Sequence, residues 1–272
     1  MKRRMSWTGL LAVMALLMAP GMHAQPSSPP NEAGATRVFI ACPVYRDTDA
    51  GRKSGCWLAD DPTSGKRYDI SLGLIKPQLG HAVLVEGVVA DPTVESSALC
   101  GGDVLVPLQV SVLPERCPRY LAPAEQYPGR PYKFTGEQLR PAFEPRTLPE
   151  PPYDVRAFTI FFELGREFLV YQYSEVILEK ISLYVSASHA RRVRIEGFAA
   201  TEPRDVDGRV LSEPARLAEA RANMVAEALR RLGVPADNIT VSWQALPAPH
   251  AELAEGRLQE ASKRRVTITV EP

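Results

Sequence analysis

The chain has 272 residues, 45% of them hydrophobic and 24% charged, and 32 basic side chains balance 32 acidic ones. That length allows one large domain or two small ones, and neutrality argues against a nucleic-acid binder, which carries a clear basic excess. Outside the extreme N-terminus no apolar run approaches the roughly 20 residues of a membrane helix, and four Cys with four His leave little for a metal cluster.

At the N-terminus, Lys2, Arg3 and Arg4 precede an apolar core from Leu10 to Met18, then Pro20-Gly21 and Met22-His23-Ala24 before Gln25. This pattern predicts a secretory signal peptide over residues 1–24. A retained anchor would need a longer apolar core, and no Cys follows to carry a lipid. Its removal takes three basic residues and leaves 29 basic and 32 acidic, an exported and slightly acidic protein. Residues 25–35 are polar and Pro-rich, a composition that predicts disorder.

Residues 36–113 read as a small all-β domain. Val38–Val44, Cys56–Ala59, Lys66–Ser71, Ala82–Ala90 and Val104–Leu113 are short runs rich in Val, Ile and Leu, separated by turn residues such as Asp49-Ala50-Gly51 and Gly101-Gly102. Five such strands suggest a small barrel or sandwich, and an OB-like barrel fits the length. Cys42, Cys56, Cys100 and Cys117 are even in number, and an exported protein meets oxidising conditions, so two disulfides are expected. Loop length favours the local pairs Cys42–Cys56 and Cys100–Cys117, each worth about 3 kcal/mol. Zinc is disfavoured because no C-x-x-C pair is present.

From residue 114 to 152 the chain places ten of its 25 prolines. Proline lacks an amide donor and fixes φ, so this stretch reads as a semi-extended linker or a coat laid over one domain. Over 153–272 the pattern alternates between strands and helices. Phe158, Ile160 and Phe162 alternate; Ser174 is placed to cap a helix whose stripe is Ile177, Ile181, Tyr184 and Val185. Val193 and Ile195 open the next strand, ending at Gly197. Leu217, Met224, Val225, Ala228, Leu229 and Leu232 form a second amphipathic helix, stopped by Gly233. Ile239, Val241 and Trp243 alternate, as do Val266, Ile268 and Val270, with a weaker helix over Ala251–Ser262. The expected class is α+β, a β-α-β-α-β-(α)-β sandwich with helices on one face of a mixed sheet.

This order resembles the OmpA-like C-terminal domain of envelope proteins that hold peptidoglycan, over roughly residues 156–271. Leu217-Ala218-Glu219-Ala220-Arg221-Ala222 is similar to that family's L-S-x-x-R-A signature, and Lys263-Arg264-Arg265-Val266 stands where it has N-R-R-V. Val193 to Gly197 and Arg230 to Ile239 are similar to its second strand and to its helix end and return strand. The resemblance implies a pocket in which an Asp after the second strand and an Arg on the second helix grip the diaminopimelate of a stem peptide, the Arg matching a planar carboxylate. Here the usual G-H-T-D reads Gly197-Phe198-Ala199-Ala200, so Ala200 replaces the acid, while Arg221 keeps the base. The interval from Gly197 to Leu217 is 20 residues, about six longer than in typical members, and the longer loop offers Glu202, Asp205 and Asp207 as substitutes. Solvated loop charges, and a structural Arg221 paired to a neighbouring carboxylate, are the alternatives.

His81, His189 and His250 are scattered, and no Ser-His-Asp, Cys-His or H-E-x-x-H arrangement is visible; no enzyme, cofactor or metal is expected. One functional reading is a non-catalytic tether in the periplasm or at the outer membrane of a Gram-negative cell. It would dock on peptidoglycan and meet an envelope protein partner through the N-terminal domain or the long loop. The other is a scaffold of the same fold that has lost the ligand and serves protein assembly. An exported enzyme with its site in the N-terminal half is a third.

Overall fold

The computed structural model describes residues 32–48, 55–124, 126–130, 146–170 and 173–272. The signal peptide expected over residues 1–24, residues 25–31 and the middle of the proline-rich stretch lie outside them.

The N-terminal half consists of β1 (Thr36–Ala41), β2 (Val44–Arg46), β3 (Cys56–Asp60), β4 (Arg67–Asp69), β5 (His81–Val89), β6 (Asp103–Arg116) and β7 (Tyr120–Ala122). Neighbours run β1-β5-β6-β4-β3-β2-β7. Only Cys42 and Pro43 separate β1 from β2, so these are two halves of one bent strand, and the row closes on itself. Counted as five strands, the ring reads 1-2-3-5-4, and its one parallel contact joins β4 to β6 through Tyr68–Asp103 and Asp69–Val104. This is the five-stranded Greek-key ring of an OB-type barrel. Phe39, Tyr68, Ile70, Val83, Val85, Leu105 and Val110 fill its interior.

The disulfides differ from the local pairing expected from loop length. Cys42 joins Cys117 and Cys56 joins Cys100, with Cα atoms 5.6 and 5.7 Å apart. Short loops cost less to close, but ring topology decides which sulfurs meet. Cys42 sits at the bend of the first strand beside the end of β6, and Cys56 opens β3 opposite the turn that precedes β6. The proline-rich stretch begins as part of this barrel. β6 runs to Arg116, β7 pairs with β2, and Tyr127 lies under the Arg46 guanidinium at 3.7 Å.

The C-terminal half consists of β8 (Arg156–Phe161), α1 (Tyr173–Ser188), β9 (Arg192–Ala199), the hairpin β10 (Arg204–Val206) and β11 (Arg209–Leu211), α2 (Arg216–Arg231), β12 (Ile239–Ala245), α3 (Ala251–Ala254), α4 (Gln259–Ser262) and β13 (Arg265–Glu271). The sheet order is β12-β9-β13-β8, with β12 parallel to β9 and the other pairs antiparallel. The inward residues predicted from alternation (Ile160, Val193, Ile195, Val266, Ile268, Val270) meet Ile181, Val185, Val225 and Leu229 of the helices in one core. Ser174 lies inside the first turn of α1, where its hydroxyl accepts from the Val170 amide at 3.0 Å. The helix expected over 251–262 is split in two, with Arg257 at φ +65° between the pieces.

The two halves belong to one compact unit, Glu32–Pro272. Strand β5 explains why. Every residue from Ala82 to Val89 is buried, which is why this segment reads as an apolar run interrupted only by Glu86-Gly87 rather than an alternating one. Val83, Val85 and Val89 face the barrel interior. Ala82 and Leu84 pack with Val206 and Leu164, and Val88 packs with Leu258 and Ala261, all from the C-terminal half. Among the described residues no helix is long and apolar enough to cross a membrane.

Candidate functional site

Arg221 sits on the inner face of α2, where the helix crosses β9 closely enough that Gly197 has no room for a side chain. A Cβ there would stand 2.0 Å from the Ala218 carbonyl oxygen. That approach carries Arg221 beneath the end of β9, and the side chain is completely buried. Its Nε donates to the Arg166 carbonyl at 2.8 Å, Nη1 to the Phe198 carbonyl and a Glu213 oxygen at 2.9 Å each, and Nη2 to the other Glu213 oxygen at 2.6 Å and the Glu163 carbonyl at 3.1 Å. A guanidinium has five N–H donors, and all five are used. The Phe162 ring closes one side at 5.0 Å.

Glu213 is equally saturated. Besides the two-pronged contact with Arg221, its oxygens accept from the Gly165 amide at 2.8 Å and the Ala200 amide at 2.9 Å. Its own amide donates to the Ala200 carbonyl at 2.9 Å. A carboxylate from 13 residues downstream is therefore laid over the Ala200 backbone, 3% exposed.

None of the three acids proposed from the sequence contacts Arg221. Glu202 is 68% exposed and pairs with Lys263 at 3.4 Å. Asp205 caps the hairpin turn by accepting from the Gly208 amide at 3.1 Å. Asp207 accepts from the Ile40 amide of the barrel at 2.7 Å. The long loop is thus the β10–β11 hairpin, which lies on the barrel by Asp207 and buried Val206 and returns Glu213 to Arg221. Glu213 carried only a weak sequence signal: it directly precedes Pro214, three residues before α2 opens at Arg216.

A second buried charge cluster lies on the seam. Glu86 of β5 accepts from Arg264 and from Arg204, with Glu86 2% and Arg264 1% exposed. Arg264 also donates to the Phe162 carbonyl at 3.3 Å. Burial alone would raise the Glu86 carboxyl, but the two guanidinium groups outweigh it and hold it below its ordinary value. Glu163 adds another bridge by accepting from the Val112 amide at 2.9 Å, and Ser111 adds one by accepting from the Leu164 amide at 2.9 Å. Among the described residues no group of three or more His, Cys, Asp or Glu side chains converges to hold a metal.

No curated protein matches the chain. Solved structures similar to it include the OmpA-like domain of FopA1 from Francisella tularensis subsp. tularensis SCHU S4, at 14% identity over 43% of this chain and 73% of that one, TM-score 0.35. The cell wall anchor of the T6SS from Pseudomonas aeruginosa is similar at 25% identity over 45% and 85%, TM-score 0.32. The peptidoglycan-associated lipoprotein from Burkholderia pseudomallei is similar at 20% over 42% and 89%, TM-score 0.32. The model of the OmpA family matches residues 161–263, the span holding α1, β9, the hairpin, α2 and β12, and over it the chain carries an OmpA-family domain.

Proposed function

We propose that the protein is a non-catalytic component of the Gram-negative cell envelope, exported to the periplasm, whose OmpA-like domain serves as a scaffold for assembly with an envelope protein rather than gripping peptidoglycan through Arg221. The observation that supports this is the saturated Arg221–Glu213 pair. A stem-peptide carboxylate could reach the guanidinium only by displacing Glu213. That would break a buried ion pair and leave the Ala200 and Gly165 amides without acceptors, a cost of about 3–5 kcal/mol. The hairpin that delivers Glu213 is held on the barrel by Asp207 and Val206, so the acid is not on a free loop.

The competing reading, a peptidoglycan tether, draws on the family match and on Arg221 standing at the family's position; it requires the hairpin to lift. Co-sedimentation of the exported chain with purified sacculi separates the two. The scaffold reading expects wild type to stay in the supernatant. Wild type in the pellet, released by Arg221→Ala in a preparation that keeps its far-ultraviolet spectrum, would establish the tether instead.

A further inference from the structure

A cleft of about 310 Å³ opens on the seam between the two halves. Ile75, Lys76 and Val112 line it from the barrel, and Glu163, Arg166 and Phe168 line it from the segment between β8 and α1. Its volume is at the lower end of small-ligand sites, and domain seams are where such sites recur.

The Glu163 carboxylate and the Arg166 guanidinium attract one another across it without forming an ion pair. The backbone carbonyls of Glu163 and Arg166 are both fixed by Arg221, at 3.1 and 2.8 Å. Yet among the described residues the Arg166 guanidinium has no hydrogen-bond or ion-pair partner. Glu163 uses one carboxylate oxygen on the Val112 amide and leaves the other without a partner among the described residues. Burial pushes its carboxyl up from the ordinary value. Lys76 as a residue is exposed, but its ammonium is turned in on the carbonyls of Ser71 and Gly73 at 2.5 and 3.2 Å, which leaves one donor. Phe168, 65% exposed, supplies an apolar wall with Ile75. The partly buried Glu163 carboxylate is the charge that lacks a full set of partners, and the exposed Lys76 and Arg166 flank it around one cavity.

We propose that this cleft binds a zwitterionic ligand of dipeptide size, with its carboxylate on Arg166 and Lys76, its ammonium on the unpartnered oxygen of Glu163, and its apolar side chain against Phe168. The proposal does not depend on whether Arg221 ever meets peptidoglycan. Because Lys76 and Arg166 come from different halves, the ligand spans the seam.

The test is a titration of the full exported chain, followed by amide chemical shifts, with three probes: alanyl-leucine, its C-terminal amide and its N-acetyl form. Charge-assisted bonds dominate such sites, so removing either charge weakens binding about tenfold or more. Arg166→Ala should narrow the gap between the dipeptide and its amide, the double variant with Lys76→Ala should close it, and Glu163→Gln, which retains an acceptor for Val112, should make the dipeptide and its acetyl form equal. These substitutions leave the backbone carbonyls that hold Arg221 in place, and matching urea midpoints confirm folded variants. Equal affinity for the three probes on wild type, or no shift at about 10 mM dipeptide, weaker than any millimolar site, would overturn the proposal.

Discussion

Glu213 and Glu202 lie in the same inserted segment and differ by one circumstance, burial. Removing a partner from a buried pair leaves a bare charge, so Glu213→Ala should destabilise the protein by about 3–5 kcal/mol. Glu202→Ala removes an exposed contact with Lys263 and should change stability by less than about 0.5 kcal/mol. Urea unfolding midpoints of the two variants check the contrast, and equal midpoints would contradict the saturated pair. Arg221 was legible in the sequence because it stands in a helix at a fixed offset from Leu217. Glu213 was not, because its distance from Arg221 is set by a hairpin that reverses the chain, and neither 3.6-residue nor two-residue periodicity reports on that. The cysteines failed to reveal their partners for a related reason. Their number fixed the count of bridges, while the pairing followed from a β4–β6 contact between segments more than 30 residues apart.

At the scale of elements, the C-terminal half was readable because most of its segments bury one face. The exceptions are β8, which runs into three consecutive buried residues, Ile160, Phe161 and Phe162, and β12, which is largely exposed. Alternation in β9 and β13 and the stripe on α2 are the direct imprint of that two-layer packing. Helix α2 ends as predicted, with Gly233 at φ +89° and the Val234 amide donating back to the Leu229 carbonyl at 3.1 Å. The crossing of α2 over β9 is set by Gly197, and Gly197→Ala would push a methyl group into the Ala218 carbonyl and the Ala222 side chain. Overpacking of that kind costs about 1–3 kcal/mol and would tilt α2 so that Arg221 no longer reaches the Phe198 carbonyl. Thermal unfolding should register the loss, with the α2 amides shifting in the folded spectrum; an unperturbed variant would mean the helix has slack here. The barrel was less legible. Its strands are short, its first strand is bent at Pro43, and β5 has no wet face from which a register could be read.

At the scale of the whole molecule, the seam holds a buried carboxylate between two guanidinium groups. Because the native Glu86 carboxyl lies below its ordinary value of 4.5, its stabilisation is complete above that value. It is lost as pH falls through the depressed native one. Glu86→Gln should therefore be much less stable than wild type at neutral pH, and the gap between their urea midpoints should narrow on acidification. A gap that stays constant into strong acid would mean that Glu86 does not titrate with the seam. The arrangement of β5 carries a broader consequence. One strand serves as the inner wall of the barrel and as the floor on which Val206, Leu258 and Ala261 rest, so neither half owns it. Cutting the chain within the proline-rich stretch would release not two soluble modules but two fragments with wetted hydrophobic faces, prone to stick to each other or to anything apolar nearby. The protein has two folds, but they share one wall and stand or fall together.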